Sequence, residues 1–260
     1  MDIYQHFRKE EQLFIDQVLD WVSQVDVQYS PYLTNFLNPR EIFIAESIIR
    51  QYSDIKFRKY GGLKDAERER ILIYPPYFEP KKEDFEISLF EIDYPTKFAE
   101  LSHGQVLGSI MATGLARANL GDIITDGIRW QFLIDKKMDQ FIKLNLEMIG
   151  KNTIYLERKE LFDTLNDLNH WKKEELIISS LRLDSVLAKA LHLSRNQAKK
   201  LINKKKVKMN WSLVERPDVE VDEFDVISIR GFGRIKMYKP LRKTRKENLV
   251  VEVGIINRNS

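Results

Sequence analysis

The segment between residues 180 and 210 constrains the fold of this chain most strongly, because its pattern specifies two short helices followed by a strand. Asp184 is the predicted N-cap of the first helix. Ser194 and Gln197 have the spacing of a capping box, so the second helix should begin at about Arg195. The apolar face of the first helix consists of Val186, Leu187, Ala190 and Leu191.

The charge of this segment is one-sided. The second helix turns Ala198, Leu201 and Ile202 toward the core, which leaves its outer face to basic residues. Residues 182–210 hold nine Lys and Arg and one acid, Asp184. A solvated helix face usually alternates in sign, whereas a run of like charge repels itself until a polyanion neutralises it. The pattern therefore favours nucleic-acid binding.

The rest of the chain is acidic by comparison. Residues 172–246 hold 20 Lys and Arg and 9 Asp and Glu, a net charge of +11, whereas the remaining residues carry −8 and the whole chain +3. A basic module joined to a mildly acidic one is typical of nucleic-acid binding confined to one end.

Composition excludes several classes of protein. The chain contains no run of about 18 apolar residues, so no membrane span is predicted. The N-terminal sequence also lacks the apolar core of a signal peptide. The chain has no cysteine, which rules out disulfides and thiolate zinc sites and fits a reducing compartment. We therefore expect a cytoplasmic protein without a membrane partner, acting as a monomer.

Residues 1–76 predict a helical hairpin with short strands. An apolar stripe at helical spacing runs through residues 5–22. Residues 55–74 predict two strands around a turn at residues 61–62, and residues 75–76 are prolines that suggest a linker. The second helix of the hairpin has favourable residues at N-cap, N1 and N3, namely Asn38, Pro39 and Glu41.

Residues 77–170 follow the order β-α-β-β-α-β, which predicts a ferredoxin-like domain of the kind that RNA-recognition motifs also use. Trp130 and Phe132 share one face of a middle strand, but the usual RNA-recognition motif is missing and we interpret both as core residues. The element ends are marked by a capping box at Ser102 and Gln105, a two-residue turn at Asp126-Gly127, a helix start at Asp135 and a helix stop at Gly150.

Enzymatic signals are weak. His103 precedes a predicted helix but has no visible catalytic partner, and His6, His170 and His192 lack metal-ligand spacing. Glycine-rich dinucleotide and phosphate-binding patterns do not occur. We therefore predict no catalytic residue, no metal and no cofactor.

Residues 180–234 resemble the S-four RNA-binding domain, through Arg182-Leu183-Asp184, Ser194-Arg195, Leu201-Ile202 and Arg230-Gly231-Phe232-Gly233-Arg234. The family usually has Gly where this chain has Lys205 and Phe224, so Lys205 should lie at a turn that favours positive φ. The resemblance implies an α+β fold with a C-terminal S-four-like domain at residues 171–260. The residues it nominates for RNA binding are Arg182, Arg195, Lys199, Lys200, Lys204, Lys206, Lys208, Asn210, Arg230 and Arg234. Lys205, where the family has Gly, adds a further charge at the turn, and we include it among the predicted RNA-binding residues.

Further motifs are spread over nearly the whole chain, namely Phe57-Arg58-Lys59-Tyr60-Gly61-Gly62, Ala66-Glu67-Arg68, His103, Leu107-Gly108-Ser109-Ile110-Met111, Gly121-Asp122-Ile123 and Ser179-Ser180-Leu181-Arg182-Leu183-Asp184. Through them the chain is similar to the YlmH family of bacterial S-four proteins. The similarity implies a ribosome-associated protein that acts on large subunits obstructed by peptidyl-tRNA and supports template-free tail addition. It also implies a link to cell division through gene neighbourhood.

The expected function is thus a non-catalytic factor that binds ribosomal RNA or tRNA. One alternative is an RNA-modifying enzyme, because pseudouridine synthases use an Arg-Leu-Asp carboxylate and Asp184 lies in such a triplet. Another is a scaffold for cell-division proteins. Because Arg195 and Lys199 should lie on the outer helix face, we expect their replacement by Glu to abolish RNA association without unfolding the protein.

Overall fold

A computed structural model of the chain describes residues 7–165 and 171–257. It combines helices with antiparallel sheets, which confirms the α+β prediction, and it divides into two compact units, Met1–Leu168 and Asn169–Ser260. Two of the histidines considered above, at positions 6 and 170, lie outside the described residues. Within those residues, no helix is long and apolar enough to cross a membrane.

The first part of the N-terminal unit packs two helices against a small sheet, in the strand order β1-β3-β2. Asn38 caps α2 as predicted, since its side chain accepts hydrogen bonds from the backbone N–H groups of Arg40 and Glu41. Helix α1 begins at Gln12, after a 3-10 turn at Lys9–Glu11 and later than the start of the predicted apolar stripe. Glu11, at the end of that turn, accepts a 2.8 Å hydrogen bond from Arg40. The elements are α1 (Gln12–Gln28), β1 (Tyr32–Leu33), α2 (Pro39–Ile49), β2 (Lys56–Tyr60) and β3 (Arg70–Tyr74).

The second part of this unit has the predicted ferredoxin-like topology, with one antiparallel sheet in the order β5-β6-β4-β9. The capping box at Ser102 and Gln105 begins α3 as predicted. The elements are β4 (Ile87–Asp93), α3 (His103–Ala112), β5 (Leu120–Thr125), β6 (Trp130–Asp135), α4 (Asp139–Asn145), the short pair β7 (Met148–Ile149) and β8 (Asn152–Thr153), and β9 (Tyr155–Lys159).

Two local predictions for this domain were wrong. Thr125 pairs with Trp130, so the β5–β6 loop has four residues, and Asp126 closes it by accepting a 2.8 Å hydrogen bond from the Arg129 N–H. Gly150 does not end α4, which stops at Asn145; it lies at positive φ (62°) between β7 and β8. Gly127 and Gly150 both lie in turns at positive φ, but the neighbouring residues did not reveal the length of the first turn or the elements that the second turn connects.

The aromatic rings on β4 and β6, the two middle strands of the ferredoxin-like sheet, are buried and cannot stack on bases, whereas Tyr155 on the edge strand β9 is exposed. Phe90, Trp130 and Phe132 are buried beneath α3 and α4, as the core interpretation predicted. On the opposite face, Leu89 and Leu133 are also buried. The residues that pack with them there are Phe36, Leu72, Phe85, Ile124 and Leu165.

Two of the motifs that resemble the YlmH family meet in this unit. The carboxylate of Asp122 accepts hydrogen bonds from the backbone N–H groups of Glu67, at 2.6 Å, and Arg68, at 3.1 Å. The buried Arg68 guanidinium donates to the carbonyl oxygens of Leu120 and Phe36. These residues therefore fix the loop before β3 to the start of β5, which gives the motifs a structural role.

The C-terminal unit is a six-stranded antiparallel sheet in the order β10-β15-β14-β13-β11-β12, with two helices on one face. We call the face that carries the helices the inner face and the opposite one the outer face. The inner core includes Leu183, Val186, Ala198, Ile202 and Ile235. The elements are β10 (Lys172–Ile178), α5 (Leu183–Ala190), α6 (Arg195–Asn203), β11 (Val207–Met209), β12 (Ser212–Leu213), β13 (Val226–Ile229), β14 (Gly233–Lys243) and β15 (Leu249–Asn257).

Candidate nucleic-acid interface

Helix α6 begins where the sequence predicts. The Ser194 hydroxyl accepts a hydrogen bond from the Gln197 N–H at 3.2 Å, and the Gln197 side chain accepts one from the Ser194 N–H at 2.8 Å. Ala198 and Ile202 are fully buried against the sheet and α5. With one side of α6 fixed in the core, its other side presents basic residues to solvent.

A buried carboxylate organises three of those basic residues. The prediction that Asp184 is the N-cap of α5 was wrong. The helix begins at Leu183 with Arg182 at the N-cap position, and Asp184 lies in its first turn. Its side chain has no exposed surface. Arg195 approaches it at 3.1 Å, Arg182 at 3.3 Å and Lys199 at 3.8 Å, all measured from nitrogen to carboxylate oxygen.

These contacts also determine the ionisation of Asp184. Burial by itself would raise the pKa of the carboxyl group, but the hydrogen bonds from Arg182 and Arg195 outweigh it and hold the pKa below its usual value. Asp184 is therefore charged at neutral pH. It holds the two guanidinium groups in place, and between about two fifths and half of each side chain remains exposed.

The remaining lysines of α6 and its following turn differ in their partners. Lys200, Lys204 and Lys206 are exposed, and no carboxylate of the described chain lies within ion-pair distance of them. Lys205 instead approaches Glu215 at 2.8 Å, an exposed pair that water and salt screen strongly. The three lysines therefore form a positive surface without local neutralisation.

The turn after α6 has the backbone conformation that the S-four resemblance predicted. Lys205 has φ of 55°, in the left-handed region that favours glycine, and Phe224 has φ of 65° at the other position where the family usually has Gly. Asn210 donates a 2.7 Å hydrogen bond to buried Asp225 and accepts one from the Val226 N–H at 2.9 Å. The Asn210 side chain is thus used to fix the hairpin.

The structure divides the other predicted residues between two faces. Arg230 is exposed and lies beside the α6 turn, because its backbone N–H donates a 2.9 Å hydrogen bond to the carbonyl of Lys206. Lys208 alternates with the buried Val207 and Met209 and therefore points to the outer face. Arg234, which precedes the buried Ile235, points to that same outer face.

Apart from Asn210, which fixes the hairpin, the predicted residues form three sets. The first set surrounds Asp184 and consists of Arg182, Arg195 and Lys199. The second is exposed on α6 and at the turn after it and consists of Lys200, Lys204, Lys205, Lys206 and Arg230. The third lies on the outer face and consists of Lys208 and Arg234. Sequence reasoning missed Asp184 as an organiser and Glu215 as a partner, although basic residues at positions 195 and 199 have the i, i+4 spacing that a shared carboxylate requires.

The two described histidines contribute no comparable site. His103 is the exposed first residue of α3, and His192 follows α5 at positive φ (54°). No group of three or more metal-ligating side chains occurs in residues 7–165 and 171–257. The basic surface of the C-terminal unit is therefore the candidate site.

Comparison with known proteins assigns all three parts of the chain. Residues 10–78 match the family model "YlmH, N-terminal", residues 80–163 match "Putative RNA-binding domain in YlmH", and residues 181–227 match "S4 domain". The chain is 39% identical over 246 residues to "Ribosome-associated protein quality control protein P2" of Bacillus subtilis (strain 168), with 95% of each protein covered. This chain belongs to the YlmH family.

A solved structure agrees with that assignment. "Cell division protein ylmH from Streptococcus pneumoniae" is 31% identical to this YlmH-family chain, with a TM-score of 0.57. The match covers 63% of this chain and 99% of the other. The matched S-four region contains α5, α6 and the exposed lysine surface, whereas Arg230 and Arg234 lie beyond its end.

Proposed function

We propose that this protein is a non-catalytic factor that binds structured RNA, either ribosomal RNA or tRNA, through α6 and the turn that follows it. The observation that carries the proposal is the exposed surface of Lys200, Lys204 and Lys206, which lies beside arginines oriented by Asp184. Oriented guanidinium groups bind phosphate in a bidentate manner, and flexible lysines add point charges along a backbone.

The ribosome is the proposed location of that RNA. The Bacillus subtilis relative is named as a ribosome-associated quality-control protein. By analogy, we assign this chain to large ribosomal subunits obstructed by peptidyl-tRNA, in the cytoplasm, where it acts as a monomer without a cofactor during ribosome rescue. Recognition should depend on RNA shape, because the basic groups contact phosphates and carry no base readout.

The geometry of Asp184 argues against the enzymatic alternative. A pseudouridine synthase needs a carboxylate that can reach a uridine ring. The Asp184 side chain has no exposed surface and is held by three basic residues, so a base cannot contact it without displacement of that network.

A salt titration with a charge-reversal variant tests the proposal. Replacement of Arg195 or Lys199 by Glu is unsuitable, contrary to the sequence-based expectation, because the new carboxylate would face buried Asp184 and destabilise the module. We would instead replace Lys200, Lys204 and Lys206 by Glu. Binding to ribosomal RNA and to tRNA is then measured between about 50 and 200 mM salt.

If these lysines contact phosphates, the variant loses affinity and its log–log salt slope becomes shallower by about 2 to 3, since each contact contributes about 0.7 to 0.9. The matched control replaces Lys243, Arg245 and Lys246, which are exposed at or beyond the far end of β14 and carry the same charge. Equal affinity and slope in the α6 variant and wild type would refute the proposal.

A division scaffold is the second candidate, favoured by the name of the Streptococcus pneumoniae structure. The two functions differ in what holds the partner. Complexes recovered with the tagged protein should dissolve under nuclease if RNA is the partner, and protein complexes that resist nuclease and survive in the α6 variant would support the scaffold instead.

A further inference from the structure

The outer face of the C-terminal sheet carries a second set of basic side chains, separate from the surface of α6. Ile235 and Met237 of β14 point into the core, so Arg234 and Lys236, which alternate with them along the strand, point outward. Strand register extends this pattern across the sheet. Lys236 and Lys173 both pair with Gly254, and Arg234 and Lys208 both pair with Ser228.

Three partly exposed aromatic rings lie among these cations. The Arg234 guanidinium carbon is 5.2 Å from the ring centroid of Trp171 and 5.9 Å from that of Trp211. Tyr238 lies 5.5 Å from the Lys236 ammonium and 4.7 Å from that of Lys173. We call Trp171, Trp211 and Tyr238, together with Lys173, Lys208, Arg234 and Lys236, the aromatic–basic face.

Gly254 on β15 leaves room for two of these rings, those of Trp171 and Tyr238, to pack on the strand. A Cβ atom at Gly254 would lie 3.1 Å from the Cβ of Trp171 and 3.1 Å from a ring carbon of Tyr238. Such contacts are tighter than ordinary van der Waals distance, so the rings pack directly on the backbone of β15 only because residue 254 is glycine. The positions of these two rings are therefore set by the backbone of the sheet.

Trp211 occupies an unfavourable backbone position. Met209 pairs with Ser212, which leaves Asn210 and Trp211 as a two-residue hairpin turn with φ of 47° and 66°. Turns of this type favour Asn-Gly, because the second residue needs positive φ. A bulky side chain there strains the backbone, and residues retained at such a cost often serve a function.

Acidic residues on this face are paired. Glu252 approaches Lys173 at 3.1 Å, and Glu175 approaches Arg242 at 3.1 Å. Both carboxylates lie toward β10 and β15, away from Lys208 on β11. The side of the face nearest Trp211 is therefore the more positive, which matches a polyanion and disfavours a basic or apolar protein partner.

We infer that the aromatic–basic face binds an unpaired segment of RNA, with bases stacked on the rings, Trp211 foremost, and phosphates contacted by Lys208, Arg234 and Lys236. Aromatic rings beside cations on a sheet surface are how single-stranded nucleic acid is held without sequence readout. This inference rests on the proposed function, because it adds a single-strand site to a protein that binds structured RNA through α6.

The test compares two probes, a short labelled oligouridylate and a fully paired RNA duplex, on the full chain. Trp211→Gly is the decisive variant, since glycine relieves the strain at φ 66° and should fold at least as stably as wild type. We expect Trp211→Gly to weaken oligouridylate binding by about 5- to 150-fold, the range for loss of one stacked base, and to leave duplex binding unchanged. Trp211→Phe should retain most of the affinity.

The α6 variant at Lys200, Lys204 and Lys206 should show the opposite pattern, with duplex binding lost and oligouridylate binding largely kept. Wild-type oligouridylate affinity in Trp211→Gly would overturn this inference and leave the proposed function intact. Unchanged duplex binding in the α6 variant would instead overturn the proposed function. Oligouridylate affinity that falls equally in both variants would mean a single shared site and would also refute the separate face.

Discussion

Replacement of Asp184 by Asn should destabilise the C-terminal unit, because the buried carboxylate is the centre of an ion cluster. Asn has the same shape but no charge, so Arg182 and Arg195 keep at most one neutral amide oxygen as acceptor, and the second carboxylate oxygen is replaced by an NH₂ donor that faces Arg182. Hydrogen bonds to charged groups stabilise by roughly 1.5 to 3 kcal/mol, but both arginines are substantially exposed and solvent screening reduces that figure. We expect a loss of about 1 to 2 kcal/mol in the free energy of unfolding.

Thermal unfolding measures this loss. For a domain of this size, 1 kcal/mol corresponds to about 4 to 8 °C in the unfolding midpoint. Tryptophan fluorescence isolates the C-terminal unit if Trp21 and Trp130 are first replaced by Phe, since the other two tryptophans, at positions 171 and 211, lie in that unit. The matched control is Asp218→Asn, which removes an exposed ion pair with Arg216 and should shift the midpoint little.

The stabilisation that Asp184 provides should be lost as the pH falls into the acid range. The Asp184 pKa is lowered in the folded protein, so its contribution is fully present above the unfolded value of about 3.9 and is lost as the pH falls through the folded value. The difference between wild type and Asp184→Asn should therefore be constant near neutral pH and shrink in acid below about pH 4. A variant midpoint equal to wild type at pH 7, within the error of Asp218→Asn, would refute the organising role of Asp184.

Three further substitutions test the local structure. Ile202→Ala, at a fully buried side chain, should cost about 2 to 5 kcal/mol in chemical denaturation of the C-terminal unit, and a cost below that of an exposed substitution would contradict the facing of α6. Lys205→Gly should stabilise by about 1 kcal/mol, since φ is 55°, and a lower denaturation midpoint would show that its exposed contact with Glu215 outweighs the strain. Asn38→Ala should cost about 0.5 to 2 kcal/mol through loss of the α2 cap, measured by thermal unfolding of the N-terminal unit, and an unchanged midpoint would refute the cap.

Signals that lie within a few residues of one another were predictable from the sequence. The capping boxes at Asn38, Ser102 and Ser194 all form, because a side chain and the backbone N–H groups of the next turn are adjacent in any helix. The order of elements in the ferredoxin-like domain was predictable for the same reason, since each strand and helix has its own hydrophobic period.

Interactions between distant segments were not predictable in the same way. Asp184 looked like a cap because its partners Arg195 and Lys199 belong to another helix, and the pairing needs the angle between α5 and α6. Lys208 and Arg234 looked like neighbours of the α6 lysines, but strand alternation directs both to the outer face. The aromatic–basic face was not predictable from the sequence, because strand register rather than sequence spacing brings residues 171, 211 and 238 together.

Co-sedimentation with ribosomes tests the central claim most directly. Tagged wild type, the α6 variant at Lys200, Lys204 and Lys206, and the matched control at Lys243, Arg245 and Lys246 are run on sucrose gradients from lysate at increasing salt. The account predicts that wild type and control migrate with large subunits and dissociate as salt rises, whereas the α6 variant stays at the top. Co-migration of the α6 variant with large subunits at every salt concentration, equal to wild type, would contradict it.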